Sequence, residues 1–69
     1  MTTEQILRAD LCRRIRQARK ARGLTQEDLA EQTALSRNTI RLIELGHDVY
    51  LSTYLKVAAA LEIVFPLED

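Results

Sequence analysis

The chain has one cysteine, one histidine, one proline, two glycines and no tryptophan in 69 residues. A lone thiol, Cys12, can form no internal disulfide, and a reducing cytosol is the compartment such usage implies. Cys12 falls inside a helical pattern, where a thiol serves as small apolar filler. One histidine, His47, beside one cysteine leaves no spaced pairs of ligands, so no metal is expected, and His47 is read as a cap or a phosphate contact. The scarcity of glycine and proline points away from a strand-rich sandwich and toward helices. No glycine-rich phosphate loop, nucleophile-base-acid arrangement or carboxylate dyad can be assembled, so neither an enzyme nor a cofactor is expected. No secretory signal pattern and no apolar run long enough to span a bilayer are present, and the expectation is a cytoplasmic protein.

An excess of either charge is also missing. Ten Lys and Arg face ten Asp and Glu, without the global basic signature of a nucleic-acid binder. The distribution differs from the total: residues 1–41 carry nine bases and five acids, net +4, and residues 42–69 carry one and five, net −4. A neutral molecule with one basic face still attracts phosphate, because the local field governs encounter. Six cations fall between Arg13 and Arg22 with no acid among them. They read either as a solvated helix face or, for Arg19, Lys20 and Arg22 near the next helix start, as phosphate contacts. At this length the chain makes one domain over 1–69, and so small a core is commonly supplemented by a second copy.

What is present is helical patterning with clear punctuation. A first helix reads from Thr3 to Arg22, with Leu7, Leu11, Ile15 and Ala18 on one stripe, a Thr2 and Gln5 capping box, and Gly23 as its stop. A second starts at Thr25, with Asp28 three residues on and Leu24 and Leu29 as a hydrophobic staple, and runs to about Gln32. A third starts at Ser36, stapled by Leu35 and Ile40, and stops at Gly46. A fourth covers Leu51 to Leu61, with Leu51, Leu55, Ala58 and Leu61 or Glu62 on its inner stripe, Ser52 as cap, and Tyr50 and Tyr54 read as packing groups or, in the alternative, as groups that stack or bond phosphate. The tail changes period: Ile63, Phe65 and Leu67 alternate with Glu62, Val64 and Pro66. This predicts a strand over 62–67 that needs another copy to pair with, with Ile63, Val64, Phe65 and Leu67 at a dimer interface. A frayed helix or a tail packed on its own core is the alternative.

Between the second and third helices lies only Thr33-Ala34-Leu35, which forces two short helices to cross steeply over a small residue, Ala30. This is helix-turn-helix geometry over residues 25–45. Asn38, Arg41, Leu42 and Leu45 form one outward stripe with Arg37 beside it. A helix fits the major groove of duplex DNA, where Arg reads guanine, Asn reads adenine and an apolar group such as Leu42 meets the thymine methyl. The amino ends of the second and third helices suit phosphate beside Gln26, Ser36 and Thr39.

The run Leu24-Thr25-Gln26-Glu27-Asp28-Leu29-Ala30, with Leu35-Ser36-Arg37-Asn38-Thr39-Ile40 and Ile43-Glu44-Leu45-Gly46, resembles the phage repressor and Cro helix-turn-helix family, the xenobiotic-response-element type, over roughly residues 9–61. The resemblance implies an all-α, lambda-repressor-like four-helix DNA-binding domain. It also implies a phosphate bond from Gln26, base or backbone contacts from Arg37, Asn38 and Arg41, and a structural ion pair between Arg19 and Glu44. Ala34 stands where that family usually has glycine, and Leu42 and Leu45 stand where it often has polar groups. The segment Ala60-Leu61-Glu62-Ile63-Val64-Phe65 resembles antitoxin repressors of the HipB type, whose last strand pairs across a dimer. Two functions follow as expectations. One is a homodimeric repressor on a palindromic operator, which the HipB likeness extends to an autoregulating antitoxin with a cognate toxin. The other is a protein-binding module that uses Leu42, Leu45 and the tail, with little DNA binding.

Overall fold

The computed structural model describes residues 1–63 as four helices: α1 (Thr3–Ala21), α2 (Gln26–Thr33), α3 (Arg37–Glu44) and α4 (Leu51–Ala60). Three of the four starts are closed by side chains. Thr2 and Gln5 exchange bonds of 3.0 and 3.2 Å across the first turn of α1. Thr25 and Asp28 do the same for α2 at 2.9 and 3.0 Å. The Thr39 N–H donates to Ser36 Oγ at 3.1 Å ahead of α3. Each satisfies amide groups that a helix start leaves without partners. The exception is α4. Tyr50 occupies its cap position without a side-chain bond. Ser52, expected to cap, lies inside the first turn, behind the free amides rather than in front of them.

All four helices end on the same device, a left-handed residue followed by an amide that folds back five residues. Leu24 N–H reaches Arg19 O at 3.1 Å, Leu35 reaches Ala30 at 3.0 Å, His47 reaches Leu42 at 3.0 Å and Ile63 reaches Ala58 at 2.9 Å. The left-handed positions are Gly23, Ala34, Gly46 and Glu62. Two of these carry a Cβ that crowds the following carbonyl in this conformation, Ala34 and Glu62, both at φ 57°. The last device corrects the tail expectation in part. Glu62 and Ile63 belong to a helix-ending turn, with Ile63 packed against the chain's own core. Val64, Phe65 and Leu67 lie outside the described residues.

The core draws on every helix: Cys12 and Ile15 from α1, Leu29 and Ala30 from α2, Ile40 and Ile43 from α3, and Tyr54, Val57 and Ala58 from α4, with Leu61 just beyond. Helix α2 packs on α3 and α4, and α1 packs on α3. Two inner stripes differ from expectation. In α1 the buried line is Cys12, Ile15 and Arg19, and Leu7 is exposed. In α4 it is Tyr54, Val57, Ala58 and Leu61, while Leu51 and Leu55 face outward. At about 100° per residue Leu7 is turned about 80° from Ile15, to the side away from Cys12 and Arg19, and Leu55 is turned about 100° from Tyr54, to the side away from Val57. Tyr50 is exposed, so of the two tyrosines only Tyr54 packs.

The Tyr54 hydroxyl donates to His47 O at 2.7 Å and lies 4.0 Å from Cys12 Sγ. Burial, and then the neighbouring thiol, push the Tyr54 pKa up to about 12. Burial likewise raises that of Cys12, which keeps the thiol neutral and inert.

Two measurements follow. A group whose pKa is raised on folding stabilises the fold fully below its unfolded value, near 10 for tyrosine, and loses that contribution as the pH climbs through the folded value. The urea midpoint should therefore fall between pH 10 and about 12 in a titration of unfolding, and this fall should flatten in Tyr54→Phe. Replacing Ala34 by Gly relieves the left-handed Cβ, and should raise stability by about 1 kcal/mol in chemical denaturation, where the same change inside a helix would lower it.

Candidate nucleic-acid interface

The connection from α2 to α3 consists of Ala34, Leu35 and Ser36. The left-handed Ala34 turns the chain, Leu35 drops back onto the core, and Ser36 opens the next helix. Because Ile40 and Ile43 are fully buried, the opposite side of α3 must face out, and Arg37, Asn38, Arg41 and Leu45 are all exposed there. Leu42 is half-buried at the edge of this face.

The rotation of α3 is set by a polar contact. Arg19 Nε donates to Glu44 Oε2 at 2.6 Å and Nη2 donates to Oε1 at 2.9 Å, a two-point fork between α1 and the last turn of α3. The side chains are only 10% and 4% exposed, so the charges are nearly desolvated and depend on each other. The third guanidinium nitrogen donates to Leu24 O at 2.8 Å, in the turn that leads to α2. Hydrogen bonding to Glu44 raises the Arg19 pKa, which holds the guanidinium in its charged form. Gln26, the first residue of α2, donates from Nε2 to Glu44 Oε1 at 3.3 Å. One carboxylate thus links three helices and fixes the direction of the Gln26 amide.

The candidate contacts divide by place. Gln26 and Arg37 line one shallow depression with Arg19, Thr25 and the acid Glu27. Ser36 and Thr39 bond to each other through their hydroxyls at 2.8 Å at the start of α3. Lys20 is exposed near the end of α1. Arg22 bonds Glu62 at 2.8 Å, beyond the end of α4. Asn38 and Arg41 meet each other, with Arg41 Nη2 donating to Asn38 Oδ1 at 2.9 Å and Nε at 3.3 Å. The carbonyl that would accept from adenine is therefore occupied by a neighbour three residues on. Such exposed helix pairs are worth only about 0.2–0.5 kcal/mol, so the bond exchanges readily for another.

The basic run of α1 is not one uniform face. Arg13 and Arg14 both pair with Asp10, the latter at 2.9 Å. Arg13 and Arg16 also flank Leu45 in a depression beside the end of α3. Their spacing of three residues carried that signal, but only the packing of α1 on α3 shows which flank of the run lies next to the outward face.

A family model described as a helix-turn-helix domain matches residues 12–64. No curated protein gives a match to the chain. Among the described residues no helix is long and apolar enough to cross a membrane.

Removing one partner of a buried ion pair leaves the other charge unpaired, typically at about 3–5 kcal/mol. Arg19→Ala and Glu44→Ala should each lower unfolding stability on that scale. The paired change Arg19→Met with Glu44→Leu should cost far less than the sum of the single losses in a urea-denaturation cycle.

Proposed function

The chain belongs to the helix-turn-helix domain family, a family of DNA-binding modules, and from that membership we propose that it is a sequence-specific repressor of transcription. It acts as a homodimer in the cytoplasm on a palindromic duplex operator. The observation that carries this reading is the outward face of α3, where Arg37, Asn38 and Arg41 stand together on a helix held in place by the Arg19–Glu44 pair. In the reading, that helix enters the major groove. Arg37, Asn38, Arg41 and the apolar edge of Leu42 meet base edges, and Gln26, Ser36, Thr39 and Lys20 meet phosphates on either side. Arg22 belongs to the same phosphate set, its exposed pair with Glu62 exchanging for phosphate. Two such helices in a dimer read half-sites about 34 Å apart. The tail residues Val64, Phe65 and Leu67, with their strand-like alternation, add a strand pair across the two-fold axis.

A second role is favoured by Leu45, which is 62% exposed on the same face where a polar contact to DNA is usual. An apolar group there suits a protein partner such as a toxin, and makes the chain an autoregulating antitoxin. A fixed co-purifying protein, with no retardation of any DNA fragment at low salt, would favour partner binding over operator binding.

In gel retardation on fragments upstream of its own coding sequence, the protein should bind in a salt-sensitive manner. Arg37→Ala and Asn38→Ala should each weaken specific binding by about 1–3 kcal/mol and relax preference at one base pair, with thermal stability unchanged. Undiminished binding in both variants would remove α3 as the reader.

A further inference from the structure

We propose that the leucine-lined groove between the amino-terminal half of α1 and the start of α4 is the seat of a second copy of this chain across a two-fold axis. The inference names the interface of the dimer invoked above. It is measured without DNA, so its failure and that of the DNA reading are distinguishable.

Leu7, Leu51 and Leu55 are 64%, 68% and 51% exposed, an unusual concentration of bare leucine on so small a domain. Leu7 and Leu51 stand on opposite walls of a groove of about 250 Å³, with the partly buried Leu11 and Val49 between them. Leu55 continues the α4 wall one turn on. Helix α4 therefore carries two apolar stripes. Tyr54, Val57, Ala58 and Leu61 fill the chain's own core, and Leu51 with Leu55 has nothing of its own to cover. The three leucines form one exposed apolar patch across the two helices. Exposed apolar patches of this kind are often functional, and this one supplies part of the ~800 Å² per partner of a stable interface.

Charge selects a second copy as the occupant. The rim carries both signs within a short distance: Glu4 and Asp48 on either side of Arg8. Arg8 and Asp48 are loosely paired at 3.8 Å, and the Asp48 side chain is 80% exposed. A two-fold axis sets the rim against itself, and in the proposed register Arg8 of each copy faces Glu4 and Asp48 of the other. A partner of uniform charge would meet like charge at one of these positions. Asp48 and Val49 also belong to the connection that leaves α3.

Sedimentation equilibrium of the full chain without DNA tests this, with circular dichroism to verify folding. The wild type should sediment as a dimer of the 7.9 kDa chain. Leu51→Glu and Leu55→Glu should each raise the dissociation constant at least tenfold while remaining folded. Ile6→Glu, on the other flank of α1 and equally exposed, should leave the constant unchanged. Arg8→Glu should weaken the dimer, and Arg8→Glu with Asp48→Arg should restore it, which plain loss of apolar area would not do. Deletion of residues 64–69 should leave a dimer. A monomeric wild type, leucine variants with an unaltered constant, or a dimer lost only on that deletion would each overturn the proposal.

Discussion

Glu44 bears more of the architecture than any single apolar contact. Its two oxygens accept from Arg19 in α1 and from Gln26 in α2, and it stands at the end of α3. Packing among Ile15, Leu29, Ile40, Ile43 and Val57 supplies stabilisation without direction, because burial of apolar area is indifferent to small rotations. A two-point fork is not indifferent. A turn of one residue about the axis of α3 moves each side chain by 100°, which would break the fork and carry Asn38 and Arg41 off the outward face. The ion pair thus converts a generic small core into one that presents a defined set of polar groups. Its desolvation cost is offset by short bonds and by the extra acceptor at Leu24 O.

On that face the polar groups are already satisfied locally. Asn38 and Arg41 bond to each other, as do the hydroxyls of Ser36 and Thr39. A ligand must displace these weak contacts, so the net gain from each new bond is the difference between two bonds of similar kind. Discrimination between ligands then depends on geometry more than on the number of donors. The neutral overall charge is consistent with this picture, since the excess of cations lies along α1 and α3 while the acids Asp48 and Glu62 stand at other edges.

Much of the layout was legible because it is written locally. The caps at Thr2, Thr25 and Ser36 and the stops at Gly23 and Gly46 each involve residues three to five apart, where side-chain chemistry alone sets the geometry. The partnership of Arg19 and Glu44 was accessible only through family resemblance, since nothing in either residue's surroundings along the chain points to a mate 25 positions away. The inner side of α4 was not legible: Leu51 and Leu55 are as apolar as Val57 and Leu61, and periodicity cannot choose between two apolar stripes. The partner of Arg22 was not legible either. It is near the start of α2 along the chain, but its side chain reaches back to Glu62, whose position depends on where α4 ends. Glu62 ends that helix in a left-handed turn, a place where alternation suggested extended chain.

The four identical helix endings have a consequence for how the chain reaches this structure. Each ending is completed by an amide and a carbonyl five residues apart, and three of the four starts are completed within three. Apart from the start of α4, each helix boundary is therefore set locally and needs no distant segment to fix it. Such a chain can dock segments that are already the right length, so little loop-closure entropy is spent before native contacts form. Proteins dominated by contacts of short sequence separation fold in microseconds to milliseconds. The contacts that local signals do not prepare include the closing of α1 on α3 through Arg19 and Glu44. Speed of folding and orientation of the outward face are set by different parts of the sequence, and so can change independently.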